Sequence, residues 1–242
     1  MKYAVQMYSL RHHIKNGEDL LKILGDVKEI GFEGVEFAGF FDVAPEKLRA
    51  RLDELGLFCV GAHCGFDWYE EDKIDETLRI AQVLGTPYIG MGGAPTALEH
   101  DMAKFEKVMV KAQKRADEAG IKLYFHNHWQ EFKPVTLSLN RKPIIERVLE
   151  VCYVQVDTYW SHHAGVDTCK FLEDNIDKIV TIHLKDGLKG KPLALGEGDN
   201  DIFAIVDCAE KLGIEWGIVE NDDPVPDGLS DITRSMKFLR NR

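Results

Sequence analysis

Lys122-Leu123-Tyr124-Phe125-His126-Asn127-His128-Trp129-Gln130-Glu131-Phe132 begins as a short apolar run and ends in three metal-binding or proton-carrying groups, His126, His128 and Glu131. A buried strand that turns polar at its C-terminal end is what a parallel α/β barrel shows at its active mouth. Seven more such strands are needed to close a barrel, with further polar residues at their ends.

The punctuation of the chain supplies them. A helical pattern ends in Gly and a short apolar run follows at Gly31, Gly56, Gly85, Gly120 and Gly213. Glycine suits the left-handed residue just past a helix end. Recurrence of this unit predicts alternating α and β elements. Apolar runs place strands at Tyr3–Met7, Val35–Phe37, Phe58–Ala62, Tyr88–Met91, Lys122–Phe125, Tyr153–Val156, Ile179–Leu184 and Trp216–Val219. They lack polar alternation, as strands buried on both faces do. Between them, stripes such as Leu20, Ile23, Leu24, Val27 repeat at helical spacing, here after an Asn16 cap. Eight β/α units in 242 residues predict an α/β chain folded as one (β/α)8 TIM barrel domain over 1–242. A doubly wound open sheet is the alternative. It normally carries a Gly-rich phosphate turn after its first strand, where this chain has Tyr8-Ser9-Leu10-Arg11.

The net charge of −11 disfavours nucleic acid and anionic membranes, which call for a basic surface. No apolar run approaches the roughly 18 residues of a membrane span. The N-terminus reads as a strand rather than a signal peptide. Cys59, Cys64, Cys152, Cys169 and Cys208 form no CxxC pair and read as free thiols, which predicts a reducing, cytoplasmic location.

Polar residues gather where the strands end: Glu36, His63, Asp157, His183 with Lys185 and Asp186, and Glu220 followed by Asn221 and Asp222. Any single strand-end carboxylate is usually a helix cap or an ion-pair partner. Here Asp157, His183 and Glu220 close three consecutive strands, with Glu131 just past the strand before. In a closed barrel these neighbours converge. Carboxylates with an imidazole form an O/N site for a divalent metal ion such as Mn²⁺, Mg²⁺, Co²⁺ or Zn²⁺.

His-Asn-His-Trp-Gln-Glu-Phe at 126–132, Val-Asp-Thr-Tyr-Trp at 156–160, His-Leu-Lys-Asp at 183–186, Leu-Gly-Glu-Gly-Asp at 195–199 and Ile-Val-Glu-Asn at 218–221 resemble the xylose-isomerase-like barrel superfamily. That group includes sugar-phosphate isomerases/epimerases, ketose 3-epimerases, inosose dehydratases and endonuclease-IV-like proteins. The resemblance spans the chain and implies a metal set of Glu, Asp, His and Glu on four successive strands. Asp157, His183 and Glu220 match the last three. On strand five the chain departs from the pattern, with Tyr124, Phe125 or His126 in place of Glu according to register. Glu131 is the expected fourth ligand or catalytic carboxylate, with His126 and His128 as alternatives.

A divalent ion on a carbonyl and its neighbouring hydroxyl stabilises an enediolate. A carboxylate or imidazole removes the α proton. The expected catalytic groups are Glu220, Glu131 and His128. His126, Lys185, Trp160 and His63 are the expected substrate contacts, although Lys185 equally suits a pair with Asp186, Trp160 equally suits the core, and Glu36 and His63, on the opposite wall of the pocket, suit a structural role better. Gly196–Asp199 reads as a flexible loop whose acidic residues favour a neutral sugar over a phosphorylated one. The leading expectation is an isomerase or epimerase of a sugar, keto-sugar or cyclitol, the rival a lyase or dehydratase on the same site. Endonuclease activity sits poorly with the acidic charge, and a non-catalytic sugar-binding barrel is the alternative of another class. The expected partner is a small carbohydrate, with a homo-oligomer open.

Overall fold

The computed structural model describes residues 1–139 and 141–242. Eight parallel strands form a ring in which each hydrogen-bonds to its neighbours: β1 (Lys2–Gln6), β2 (Gly34–Ala38), β3 (Phe58–His63), β4 (Tyr88–Met91), β5 (Lys122–His126), β6 (Tyr153–Asp157), β7 (Ile179–Leu184) and β10 (Trp216–Val219), which returns to β1. Closure rules out the open doubly wound sheet. A small antiparallel hairpin, β8 (Asp186–Leu188) and β9 (Lys191–Leu193), interrupts the seventh unit. The sequence reading did not include it, because three-residue strands carry no periodic signal.

The outer layer is α1 (Gly17–Ile30), α2 (Pro45–Leu55), α3 (Ile74–Leu84), α4 (Glu99–Glu118), α5 (Ile144–Val151), α6 (Thr158–His163), α7 (Thr168–Asp174), α8 (Ile202–Lys211) and α9 (Gly228–Leu239). Asn16 caps α1 by accepting from the N–H groups of Glu18 and Asp19, a contact that contributes about 1 kcal/mol. Leu20, Ile23, Leu24 and Val27 form its buried stripe. A fully buried leucine such as Leu24 contributes about 1.5–3 kcal/mol. Gly31, Gly56 and Gly85 end α1, α2 and α3 in the left-handed conformation, as their place before a strand predicts. Among the described residues no helix is long and apolar enough to cross a membrane.

The ladder registers bring polar residues into two successive layers toward the C-terminal ends of the strands. Gln6 pairs with Glu36, His126 with Gln155, and Asp157 with His183. Two register shifts lie here, between Val35 and Glu36 and between Val154 and Gln155. Such irregularities re-aim the side chain that follows them. Here Glu36 and Gln155 meet across the barrel interior, with Gln155 Nε2 donating to Glu36 Oε1 at 2.6 Å.

Candidate metal and substrate site

Glu36 is the floor of the site. It is fully buried, and four donors converge on its carboxylate: Gln6 Nε2 at 2.7 Å, Gln155 Nε2 at 2.6 Å, the Tyr124 hydroxyl, and His183 Nε2 at 2.6 Å. Only an ionised carboxylate accepts from all of them. Burial alone would raise its pKa, but His63 and His183, with the hydrogen bonds from His183 and Tyr124, bring it down to about 2. Gly90 leaves room for Tyr124, since a Cβ there would sit 2.4 Å from both its ring and its backbone oxygen. Sequence reading set Glu36 beside His63 on the pocket wall and passed over Gln6, Gln155 and Tyr124. A glutamine inside an otherwise apolar strand is the signal that marks this layer.

His183 joins the floor to the candidate metal layer above it. Its Nε2 meets Glu36, and its Nδ1 lies 2.9 Å from Glu220 Oε2. Burial would lower its pKa, but the carboxylates of Glu220 and Glu36 override it and raise it to about 10. His126 is different. Burial and the neighbouring His183 push it well below the ordinary imidazole range, so it stays neutral with a lone pair available. His126 Nε2 lies 3.7 Å from Asp157 Oδ2 and 3.9 Å from Glu220 Oε2. His126, Asp157, His183 and Glu220 thus bring one donor atom each to within 4.8 Å of one another, all buried. Asp157 does double duty. Its Oδ1 caps α6 by accepting from Trp160 N at 2.8 Å, which leaves Oδ2 for the site.

The structure departs from the expected ligand set at strand five. His126 is the last residue of β5 and turns inward to join the group. Glu131 lies in a 3₁₀ turn, Trp129–Phe132, and turns back to accept from His128 N at 2.8 Å. The His128 side chain accepts in return from the Glu131 backbone N–H, so this reciprocal pair fixes the His128 ring. A cavity of about 620 Å³ opens at the strand ends above the cluster, lined by Tyr8, His63, His126, His128, Trp160, Glu220 and Asp222 among others. Of the expected substrate contacts, His63, His126 and Trp160 reach this wall. Lys185 does not. It is fully buried behind it, and its ammonium pairs with Asp157, Glu220 and Asp222 rather than with Asp186.

Asp186 has another task. Its carboxylate accepts from the backbone N–H groups of Gly187, Gly196, Gly198 and Asn200 at 2.8–3.1 Å. The Gly-rich loop expected to be flexible is therefore wound around an internal anion. Gly198 is required there, since a Cβ would stand 2.2 Å from Asp186 Oδ1.

A sequence profile described as the xylose isomerase-like TIM barrel matches residues 24–242. The chain belongs to the xylose isomerase-like TIM barrel family. Solved structures of similar fold include a sugar phosphate isomerase/epimerase from Parabacteroides distasonis, at 20% identity, TM-score 0.84 and coverage of 100% of this chain and 99% of that one. A 3-keto-D-glucoside 4-epimerase from E. coli aligns at 19% identity and TM-score 0.73, covering 100% of both chains. A probable 3-DHS dehydratase from Bacillus anthracis aligns at 15% identity and TM-score 0.76, again covering 100% of both. No curated protein is a match.

Members of the xylose isomerase-like family often hold a metal ion, and the atoms of this chain fit one. Asp157 Oδ2 and His126 Nδ1 are buried without a hydrogen bond. A buried carboxylate oxygen lacking a hydrogen-bond donor is costly unless a cation faces it. The cation in direct contact with Asp157 Oδ2 is the Lys185 ammonium, 2.9 Å away in ion-pair contact without hydrogen-bond geometry. Two imidazole nitrogens and two carboxylate oxygens form a donor set suited to a divalent ion of intermediate softness.

Proposed function

We propose that this protein is a metal-dependent isomerase or epimerase of a sugar, keto-sugar or cyclitol, acting by removal of a proton from the carbon next to a carbonyl. One observation carries the proposal: a buried His126, Asp157, His183 and Glu220 group adjoins a cavity lined by two of its members, His126 and Glu220, and by a further, half-buried imidazole, His128. These four residues would hold the ion, which supplies Lewis acidity to a carbonyl and its neighbouring hydroxyl. Glu36 holds His183 in place from below. His128, its ring fixed by Glu131, is the group that moves a proton at the substrate carbon or oxygen. Glu220 faces the same cavity as a second acid–base group. Trp160 offers an apolar face against which a sugar ring packs. A neutral substrate fits better than a phosphorylated one, because the loop N–H groups that could cradle a phosphate already surround Asp186.

Loss of water after the same proton removal is the second reading. It is favoured by His128 itself, an imidazole suited to protonate a departing hydroxyl. NMR and mass analysis of keto-sugars and inososes incubated with the Mn²⁺- or Co²⁺-loaded protein in D₂O separates the two. Deuterium at carbon in a product of the same composition indicates isomerisation or epimerisation, and a product lighter by water indicates the lyase. Asp157→Asn and His183→Ala should each abolish bound metal and exchange. Survival of both metal and exchange in these variants would sink the proposal, and sugar binding without exchange across the panel would point to a non-catalytic barrel.

A further inference from the structure

Lys185 is fully buried just past β7. Its Nζ lies 2.7 Å from Glu220 Oε2, 2.7 Å from Asp222 Oδ2 and 2.9 Å from Asp157 Oδ2. Two of these oxygens, Glu220 Oε2 and Asp157 Oδ2, are also those nearest to His126 Nε2. Glu220 Oε2 is in addition the atom that meets His183 Nδ1. The carboxylate oxygens that face the candidate metal position are therefore the ones that already hold an ammonium. Asp222 stands apart. Among the described residues it belongs to no candidate metal-binding group, its side chain is 29% exposed, and it contacts the same ammonium.

We propose that Lys185 is the resident cation of this site, that it competes with a divalent ion for Asp157 and Glu220, and that Asp222 is the partner that retains the ammonium when the ion is bound. This inference rests on the metal-dependent function proposed above. Without a cation between them, Asp157 and Glu220 would be two buried carboxylates facing one another, and their repulsion in a low dielectric would push the pair apart. The ammonium, in contact with both, holds them near their final positions. An incoming ion meets a buried like charge at close range, where the low dielectric screens repulsion poorly. Lysine suits this role better than arginine, because a point charge on a flexible stem can shift between carboxylates, whereas a guanidinium fork is bound to one geometry. Metal affinity is then set by a side chain that touches neither substrate nor ion.

The test is calorimetric titration of Mn²⁺ or Co²⁺ into the chelator-stripped full chain. Lys185→Met should bind at least about tenfold tighter than the unaltered protein, and Asp222→Asn at least about tenfold weaker. The Asp222→Asn effect should vanish in the Lys185→Met background, since Asp222 acts through the ammonium. Metal-free Lys185→Met should also melt at a lower temperature, with the gap closing at saturating ion. Lys185→Gln takes the place of Lys185→Met should the apolar side chain prevent folding. Unchanged or weaker binding on loss of the lysine overturns the inference, as does an Asp222→Asn effect that persists without it. Absence of ion binding in every variant and in the unaltered chain overturns the metal-dependent function as well, and so separates the two failures.

Discussion

Glu36 shows how much one residue can be asked to hold. Four donors point at its carboxylate, from β1, β5, β6 and β7. Glu36→Gln keeps the shape but places an NH₂ group among donors. The variant should lose about 3 kcal/mol in urea unfolding, the scale of a broken buried ion pair. Its affinity for Mn²⁺ should fall by about 10–100-fold, because His183 loses the partner that orients it. Normal affinity in Glu36→Gln would confine Glu36 to a packing role. In sequence, Glu36 looked like any strand-end carboxylate. Its importance comes from partners at positions 6, 124, 155 and 183, which only the closed barrel brings together. Strand five makes the same point. The HNH stretch identified the right segment, but its register decided that His126 reaches the cluster and Glu131 turns away to brace His128.

At the scale of elements, the site depends on short irregular pieces more than on the regular helices. The register shifts in the β2–β3 and β6–β7 ladders aim Glu36 and Gln155 inward. The β8–β9 hairpin and the loop after it form a shell around Asp186. At the start of α9, Asp231 Oδ2 accepts from Asn221 Nδ2 at 2.8 Å, while its Oδ1 is buried without a partner. Burial raises this carboxyl from its ordinary 3.8 to about 6, against the pull of the Asn221 hydrogen bond. The folded chain therefore keeps this proton at a pH where the unfolded chain has released it. Its contribution to stability is full below pH 3.8 and declines as the pH rises through about 6. Asp231→Asn carries no such charge, so it should melt higher than the unaltered protein at pH 7, with the difference shrinking toward pH 4. An equal difference at both pH values would show that the asparagine acts by packing alone. The raised carboxyl was not legible in the sequence, because it arises where α9 meets the segment after β10.

For the molecule as a whole, the barrel collects four donor atoms from β5, β6, β7 and the residue after β10, so an ion bound there would tie four strands together. Binding to the folded state alone stabilises by about 2.7 kcal/mol at a hundredfold excess over Kd. For a chain of this size that is a rise of roughly 5–10 °C in melting temperature. Chelator treatment should remove the increment, and Asp157→Asn should melt alike with and without Mn²⁺. A melting temperature indifferent to ion in the unaltered chain would argue against a metal in this position. Charge at this scale is also patterned. Lys104, Lys107, Lys111, Lys114 and Arg115 line one outer groove on α4, but Glu70, Glu71 and Asp75 pair with three of them. The sequence by itself determined the barrel, since apolar strands, helical stripes and terminal glycines are local signals that each element carries alone. It also determined the neighbourhood of the site, because polar residues at successive strand ends must converge once the ring closes. Only the tertiary structure decided which side chains meet. Contact across a barrel depends on register, bulges and the space left by residues such as Gly90, and these place Lys185 against Asp157 and Glu220 where the linear order had set it beside Asp186.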